Sequence, residues 1–133
     1  MSKSVILCVD DEALVLESLE IELKKAFGNQ FGYEFAESGE EALEIIEELT
    51  DNEVEIVVVI SDWLMPGMKG DEFFIQLYQK KPKVIKIMLT GQADGDAIKR
   101  AKEEAHLHRC FYKPWNSVEL VEVIRKSIDD YYG

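Results

Sequence analysis

Apolar residues in this chain gather into five short runs, at residues 4–9, 33–36, 55–61, 84–89 and 110–112. After each run comes a longer stretch in which they recur every three or four positions. Val5-Ile6-Leu7-Cys8-Val9 and Ile56-Val57-Val58-Val59-Ile60 are unbroken, and Ile85-Lys86-Ile87-Met88-Leu89 is broken once. Runs of this kind are interior strands covered by helices on both faces, whereas the shorter runs at Tyr33 and Cys110 fit sheet edges. Strand and helix patterns alternate five times, and right-handed crossovers between them make the sheet parallel. The expected fold class is therefore α/β, with a doubly wound five-stranded parallel sheet.

The helical stretches differ in how much they bury. In the first, about residues 12–27, Val15, Leu19, Leu23 and Phe27 recur at steps of four, with Leu16 and Ala26 on the same side. At 100° per residue, Leu14 and Ile21 fall on the opposite face with Ser18 and Lys25, which makes them candidates for a partner's surface. Ser38-Gly39-Glu40-Glu41 opens the second helix, which packs through Ala42, Ile45, Ile46 and Leu49. Gly70-Asp71 opens the third, which carries Phe73, Phe74, Leu77 and Tyr78 and stops before Pro82. The last, about residues 117–132, buries Leu120, Val121, Ile124 and Ile128. Between them, residues 94–105 offer little beyond Ala97, Ile98 and Ala101. A helix with so few apolar contacts has low local stability and is the element expected to move.

Length and composition narrow the class. A chain of 133 residues, 47% hydrophobic, is one domain able to fill a single core, here spanning 1–133. No apolar stretch approaches the roughly 18 residues of a membrane span. The chain also opens into a strand rather than a signal-peptide core, so no membrane association and a cytoplasmic location are expected. Cys8 and Cys110 sit inside apolar runs without metal or redox spacing and read as small buried hydrophobes. The formal net charge of −12 disfavours direct contact with nucleic acid, which needs a cationic surface. The small basic clusters at Lys80-Lys81-Pro82-Lys83 and Lys99-Arg100-Ala101-Lys102 read as solvated helix ends and faces.

The chemistry lies where the apolar runs stop. Asp10 and Asp11 follow the first, Asp62 the third, Thr90 the fourth and Lys113 the fifth, and parallel strands bring these ends to one carboxyl edge. Singly, an Asp after a strand is a helix cap or turn residue, and Thr90-Gly91 is a turn. Together they form a set that can handle a phosphoryl group. Carboxylates held close raise one another's pKa unless a cation sits among them, and a hard divalent ion with oxygen ligands, Mg²⁺, meets that need. An aspartate can attack phosphorus, while a lysine and a hydroxyl meet the charge on the transferred oxygens.

Ile6-Leu7-Cys8-Val9-Asp10-Asp11-Glu12, Ser61-Asp62-Trp63-Leu64-Met65-Pro66-Gly67-Met68-Lys69-Gly70, Met88-Leu89-Thr90-Gly91 and Tyr112-Lys113-Pro114-Trp115, in that order, resemble the receiver domain of two-component response regulators. The resemblance covers essentially the whole chain. It implies a (βα)5 flavodoxin-like fold with strand order 2-1-3-4-5, and two-component phosphorelay signalling in which Asp62 accepts a phosphoryl group from a phosphohistidine. By the same resemblance Asp10, Asp11, Asp62 and the main-chain carbonyl of Leu64 hold Mg²⁺, with Asp10 acting through a metal-bound water. Lys113 contacts the phosphoryl oxygens, Thr90 is the hydroxyl that turns inward, and the peptide bond before Pro114 is cis. Leu64 and Gln92 occupy the two variable positions that flank the site.

One position departs from the family pattern. Three residues before the lysine, where an aromatic commonly rotates with the threonine, this chain has Cys110; period two puts Tyr112 on its face and Phe111 on the other. Either Tyr112 or another group takes the role, or the signal leaves through Thr90 and the fourth helix. The expected partners are a sensor histidine kinase or phosphotransfer protein docking near Leu14 and Ile21, an output domain or target, and a second copy of the chain after phosphorylation. The expected switch surface combines the fourth helix, fifth strand and fifth helix. The chain is expected to promote only its own phosphorylation and dephosphorylation rather than act as an enzyme. Two other readings stand beside this: a receiver-like interaction module that takes no phosphoryl group, and an aspartyl-phosphate phosphatase. The phosphatase normally has a second acid two residues past its nucleophile, where this chain has Leu64.

Overall fold

A computed structural model describes residues 3–91 and 95–132. The elements run β1 (Val5–Val9), α1 (Ala13–Phe27), a 3₁₀ turn (Gly28–Gln30), β2 (Gly32–Ala36), α2 (Gly39–Asp51), β3 (Ile56–Asp62), α3 (Gly70–Lys80), β4 (Ile85–Thr90), α4 (Gly95–Ala105), β5 (Arg109–Tyr112) and α5 (Ser117–Tyr132). All four strand pairings are parallel and the order is β2-β1-β3-β4-β5. The doubly wound sheet and its strand order therefore stand as expected, with the short runs at its edges.

Boundaries move by a residue where pairing continues past the apolar run. Asp62 still pairs with Leu89 and Thr90 with Tyr112, so both polar residues are the last of their strands rather than the first after them. The expected start of the fourth helix at Asp94 and the flanking residue Gln92 lie outside the described residues.

Strand alternation divides the core into two layers. Leu7, Val9, Val59 and Met88 face α2, α3 and α4, meeting Ala42, Ile46, Phe73, Phe74 and Leu77. Ile6, Cys8, Ile60, Ile87 and Phe111 face α1 and α5, meeting Leu19, Leu23, Phe27, Leu120 and Ile124. A register shift between Val5 and Ile6 on the β1–β3 ladder turns Val57 and Val58 to the same layer. The helix faces agree with the periodicity, although Val15, Leu16, Ala26, Val121 and Ile128 in one layer and Ile45, Leu49, Tyr78 and Ile98 in the other are only partly covered. On α4 the buried residues are all alanines, at 97, 101 and 105, so this helix has the thinnest apolar contact with the sheet.

Local chemistry sets the ends. The Ser38 hydroxyl accepts the Glu41 N–H at 3.1 Å and caps α2. Gly28, at φ 55, closes α1 in a conformation that disfavours side chains. At Gly70 the backbone passes so close to β3 that a Cβ would lie 2.4 Å from the Asp62 carbonyl oxygen and 2.8 Å from Trp63 Cα. That approach pins the start of α3 beneath the end of β3, and the Gly70 N–H seals it by donating to the Trp63 carbonyl at 2.8 Å.

Candidate functional site

The strand ends converge as the sheet topology requires. Asp10, Asp11 and Asp62 present ligand oxygens that all lie within 4.8 Å of one another, with Asp10 and Asp62 buried and Asp11 exposed. Asp62 ends β3 in the middle of the sheet, and Asp10 follows β1 beside it. The Asp10 N–H donates to the Ala36 carbonyl at 3.0 Å, and Asp10 Oδ1 accepts the Glu12 N–H at 2.8 Å, which fixes the turn into α1. Asp62 Oδ1 accepts the Trp63 N–H at 2.8 Å.

Lys113 enters from β5. Its N–H donates to the Thr90 carbonyl at 2.8 Å, which continues the β4–β5 ladder and aims the side chain across the sheet. Lys113 Nζ lies 2.9 Å from Asp10 Oδ2, 3.3 Å from Asp62 Oδ2 and 4.0 Å from Glu12 Oε1. The Lys113–Pro114 peptide bond is cis. Thr90 is fully buried at the end of β4. A cleft of about 540 Å³ opens over these groups, lined by Asp11, Asp62, Leu64, Met65, Gly91 and Lys113. Leu64 is 42% exposed at its rim.

The electrostatics follow from three acids and one cation in a half-sealed space. Burial raises the Asp62 pKa, and the charge of Asp10 raises it further. Asp10 is also raised by burial, against the opposing hydrogen bond from Lys113. For Lys113, burial works against the charged form, but the hydrogen bond and charge of Asp10 and the charge of Asp62 outweigh it, so its pKa is raised. The ammonium stays charged and the two buried carboxylates repel each other.

Other expected residues lie outside this cluster. Cys110 is half-buried against the layer that contains α4, Phe111 is buried in the other layer, and Tyr112 is 57% exposed. Cys110 and Phe111 thus lie in different layers, as period two requires. Leu14 and Ile21 are 76% and 69% exposed. Leu14, Val15, Ser18, Glu22, Pro114 and Trp115 line a groove of about 530 Å³ between α1 and the start of α5, beside Lys113; Ile21 lies farther along α1. Trp115 Nε1–H donates to Glu22 Oε1 at 3.0 Å across this groove.

Two features are not evident in the sequence. Trp63 Nε1–H donates to Asp71 Oδ1 at 3.0 Å, and the other Asp71 oxygen accepts from Arg100 of α4 at 3.3 Å. Asp71 thus does more than open α3, and Arg100 is not simply a solvated helix residue. The available signal was the indole N–H itself, which needs an acceptor once buried. The second feature is Lys86, fully buried in β4, its Nζ donating to the Val84 carbonyl at 2.6 Å and lying 5.2 Å from the Tyr78 ring centroid.

The family model of the response regulator receiver domain matches residues 6–125. The DNA-binding transcriptional regulator NtrC of Escherichia coli K12 is 28% identical over 131 residues, covering 98% of this chain and 26% of that protein. The hydrogenase transcriptional regulatory protein HoxA of Cupriavidus necator is 24% identical over 127 residues, 96% of this chain and 24% of that protein. The chain thus spans about a quarter of the length of these curated relatives. Among solved structures, the signal receiver domain of an HD domain-containing protein from Pseudomonas fluorescens Pf-5 superposes with a TM-score of 0.87 at 27% identity, covering 98% of both chains. A CheY-like response regulator receiver domain protein from Methanospirillum hungatei gives 0.85 at 26% identity, covering 98% of this chain and 97% of that one. Fold, motif order and family match agree: this chain belongs to the receiver domains of two-component response regulators.

Proposed function

We propose that this receiver accepts a phosphoryl group on Asp62 from a phosphohistidine donor and that Mg²⁺ supports the transfer. The observation that carries the reading is the position of Lys113 Nζ, within 3.3 Å of both Asp10 Oδ2 and Asp62 Oδ2 at the mouth of an acidic cleft. A carboxylate oxygen of Asp62 attacks phosphorus, and the bond from phosphorus to the donor imidazole breaks. Its electron pair stays on the nitrogen, which takes a proton, and Asp62 holds an acyl phosphate. Lys113 then turns its ammonium from the carboxylate to a phosphoryl oxygen, and Thr90 contributes a hydroxyl from the end of β4.

The donor set fits the ion. Asp10, Asp11 and Asp62 converge within 4.8 Å and offer only hard oxygens, and one lysine cannot balance three carboxylates. What Mg²⁺ supplies when bound is neutralisation of charge on the phosphoryl oxygens. Leu14 and the groove beside it would receive the donor, because they lie next to Lys113 and expose apolar surface on α1. The face of α4, β5 and α5, which exposes Tyr112 and Val118, would carry the signal to an output domain or target.

Incubation with Mg²⁺ and acetyl phosphate, read by intact mass, tests this. The expected result is addition of one phosphoryl group that disappears in Asp62→Ala and without divalent metal. Addition that survives Asp62→Ala would overturn the acceptor, and multiple turnover of a phosphate ester would favour the phosphatase.

A further inference from the structure

The polar chain that starts at the phosphoacceptor runs to the helix with the least apolar anchoring. Trp63 follows Asp62, and its backbone N–H is bonded to the Asp62 carboxylate at 2.8 Å. Its indole N–H reaches Asp71 Oδ1 at 3.0 Å, while the Lys69 ammonium lies 5.0 Å from the centre of its ring. Asp71, in the first turn of α3, is 8% exposed, and its second oxygen accepts from Arg100 Nη1 at 3.3 Å. Arg100 is held on α4 by its Nε bond to Glu104 at 2.9 Å. The two oxygens of one buried carboxylate are thus divided between the turn carrying Asp62 and helix α4.

We propose that Asp71 is a positioning residue that ties the phosphoacceptor turn to α4, with Arg100 as the clasp. The proposal rests on reading Asp62 as the phosphoacceptor. A new group on Asp62 competes for the carboxylate that the Trp63 N–H now contacts. The rigid indole passes that displacement to Asp71, and loss of the Arg100 contact frees α4. The fully buried residues of α4 are alanines at 97, 101 and 105, with Ile98 partly covered beside them, so the Asp71–Arg100 pair adds a polar tie to a face of mostly small side chains. The Arg100 side chain is half in solvent, which limits the size of the coupling.

Linkage fixes the sign. If the clasp holds α4 in the unmodified state, breaking it must tighten binding of a phosphoryl mimic at Asp62 by the same factor by which the mimic loosens α4. The experiment is calorimetric titration of the chain with beryllofluoride in Mg²⁺, paired with amide hydrogen exchange over residues 95–105. Arg100→Gln is expected to speed exchange in α4 before beryllofluoride is added and to tighten its binding by about two- to fivefold. Asp71→Asn, which leaves an acceptor for the indole, should reproduce this, and the double variant should add nothing further. Arg100→Lys, which keeps the charge, should recover part of the effect.

Equal affinity in every variant overturns the tie. So do additive effects in the double variant, or faster α4 exchange with unchanged affinity, which would mark a merely structural contact. Absence of any response to beryllofluoride in the unsubstituted chain overturns the phosphoacceptor reading itself, and the tie with it.

Discussion

Asp62 sits where burial and a neighbouring carboxylate both oppose its charge, so its ionised form is carried at a cost to the fold. Its folded pKa lies above the unfolded value. The penalty is therefore complete above the folded pKa and fades as pH falls toward the unfolded one. Without divalent metal at neutral pH, Asp62→Asn is expected to raise the urea midpoint, and the same variant should lose most of the stabilisation that Mg²⁺ gives the unsubstituted chain. A midpoint that falls, with Mg²⁺ stabilisation intact, would contradict this charge balance. Gly70 poses the opposite case, in which space rather than charge decides. A methyl group there meets the backbone of Asp62 and Trp63 and no flexible side chain can yield, so Gly70→Ala should cost about 1–3 kcal/mol in urea unfolding.

At the scale of elements, the caps and exposed faces separate stability from recognition. Ser38→Ala removes the side-chain acceptor at the start of α2 and should cost about 1 kcal/mol, read as a lower thermal midpoint. Leu14→Glu and Ile21→Glu, on the exposed face of α1, should leave stability within about 0.5 kcal/mol. They should slow phosphoryl transfer from a kinase without slowing uptake from acetyl phosphate; equal slowing of both would remove α1 from docking. The elements themselves were legible because period two and period 3.6 are properties of neighbouring residues. The residues at the acidic cleft were legible because each ends a recognisable strand. Asp71–Arg100 was not, since the partners are 29 positions apart and meet only once α3 and α4 lie side by side. Lys86 was hidden for a related reason. Its position in β4 shows that it faces a layer, but not that Tyr78 and the Val84 carbonyl would be there to receive it.

At the end of the sheet away from the acidic cleft, the molecule carries a buried base, Lys86, with the half-buried His108 beside it. Burial pushes the Lys86 ammonium down to about 8 from 10.5. Burial, together with the charges of Lys86 and His106, pushes His108 down to about 4 from 6.5. A base with a depressed folded pKa penalises folding below that value, and the penalty is relieved as pH rises toward the unfolded pKa. The contribution of His108 to stability should therefore fall as pH drops from 6.5 to 4, opposite in sign to that of Asp62, and the contribution of Lys86 should rise as pH climbs from 8 to 10.5. Lys86→Met should gain about 1–3 kcal/mol at pH 7, and urea titrations across pH should show that gain shrinking above pH 8. A gain independent of pH would mean that packing, not charge, is responsible.

The two tryptophans lie on opposite sides of the sheet. Trp63 is hydrogen-bonded to α3 and Trp115 to α1, each through its indole N–H to a carboxylate. The chain therefore holds two native optical probes, one beside the route to α4 and one in the groove offered to a donor. With Trp115→Phe and Trp63→Phe, emission from each can be followed alone after rapid mixing. The order of two signals would then show whether a partner's arrival precedes or follows the rearrangement at the acceptor.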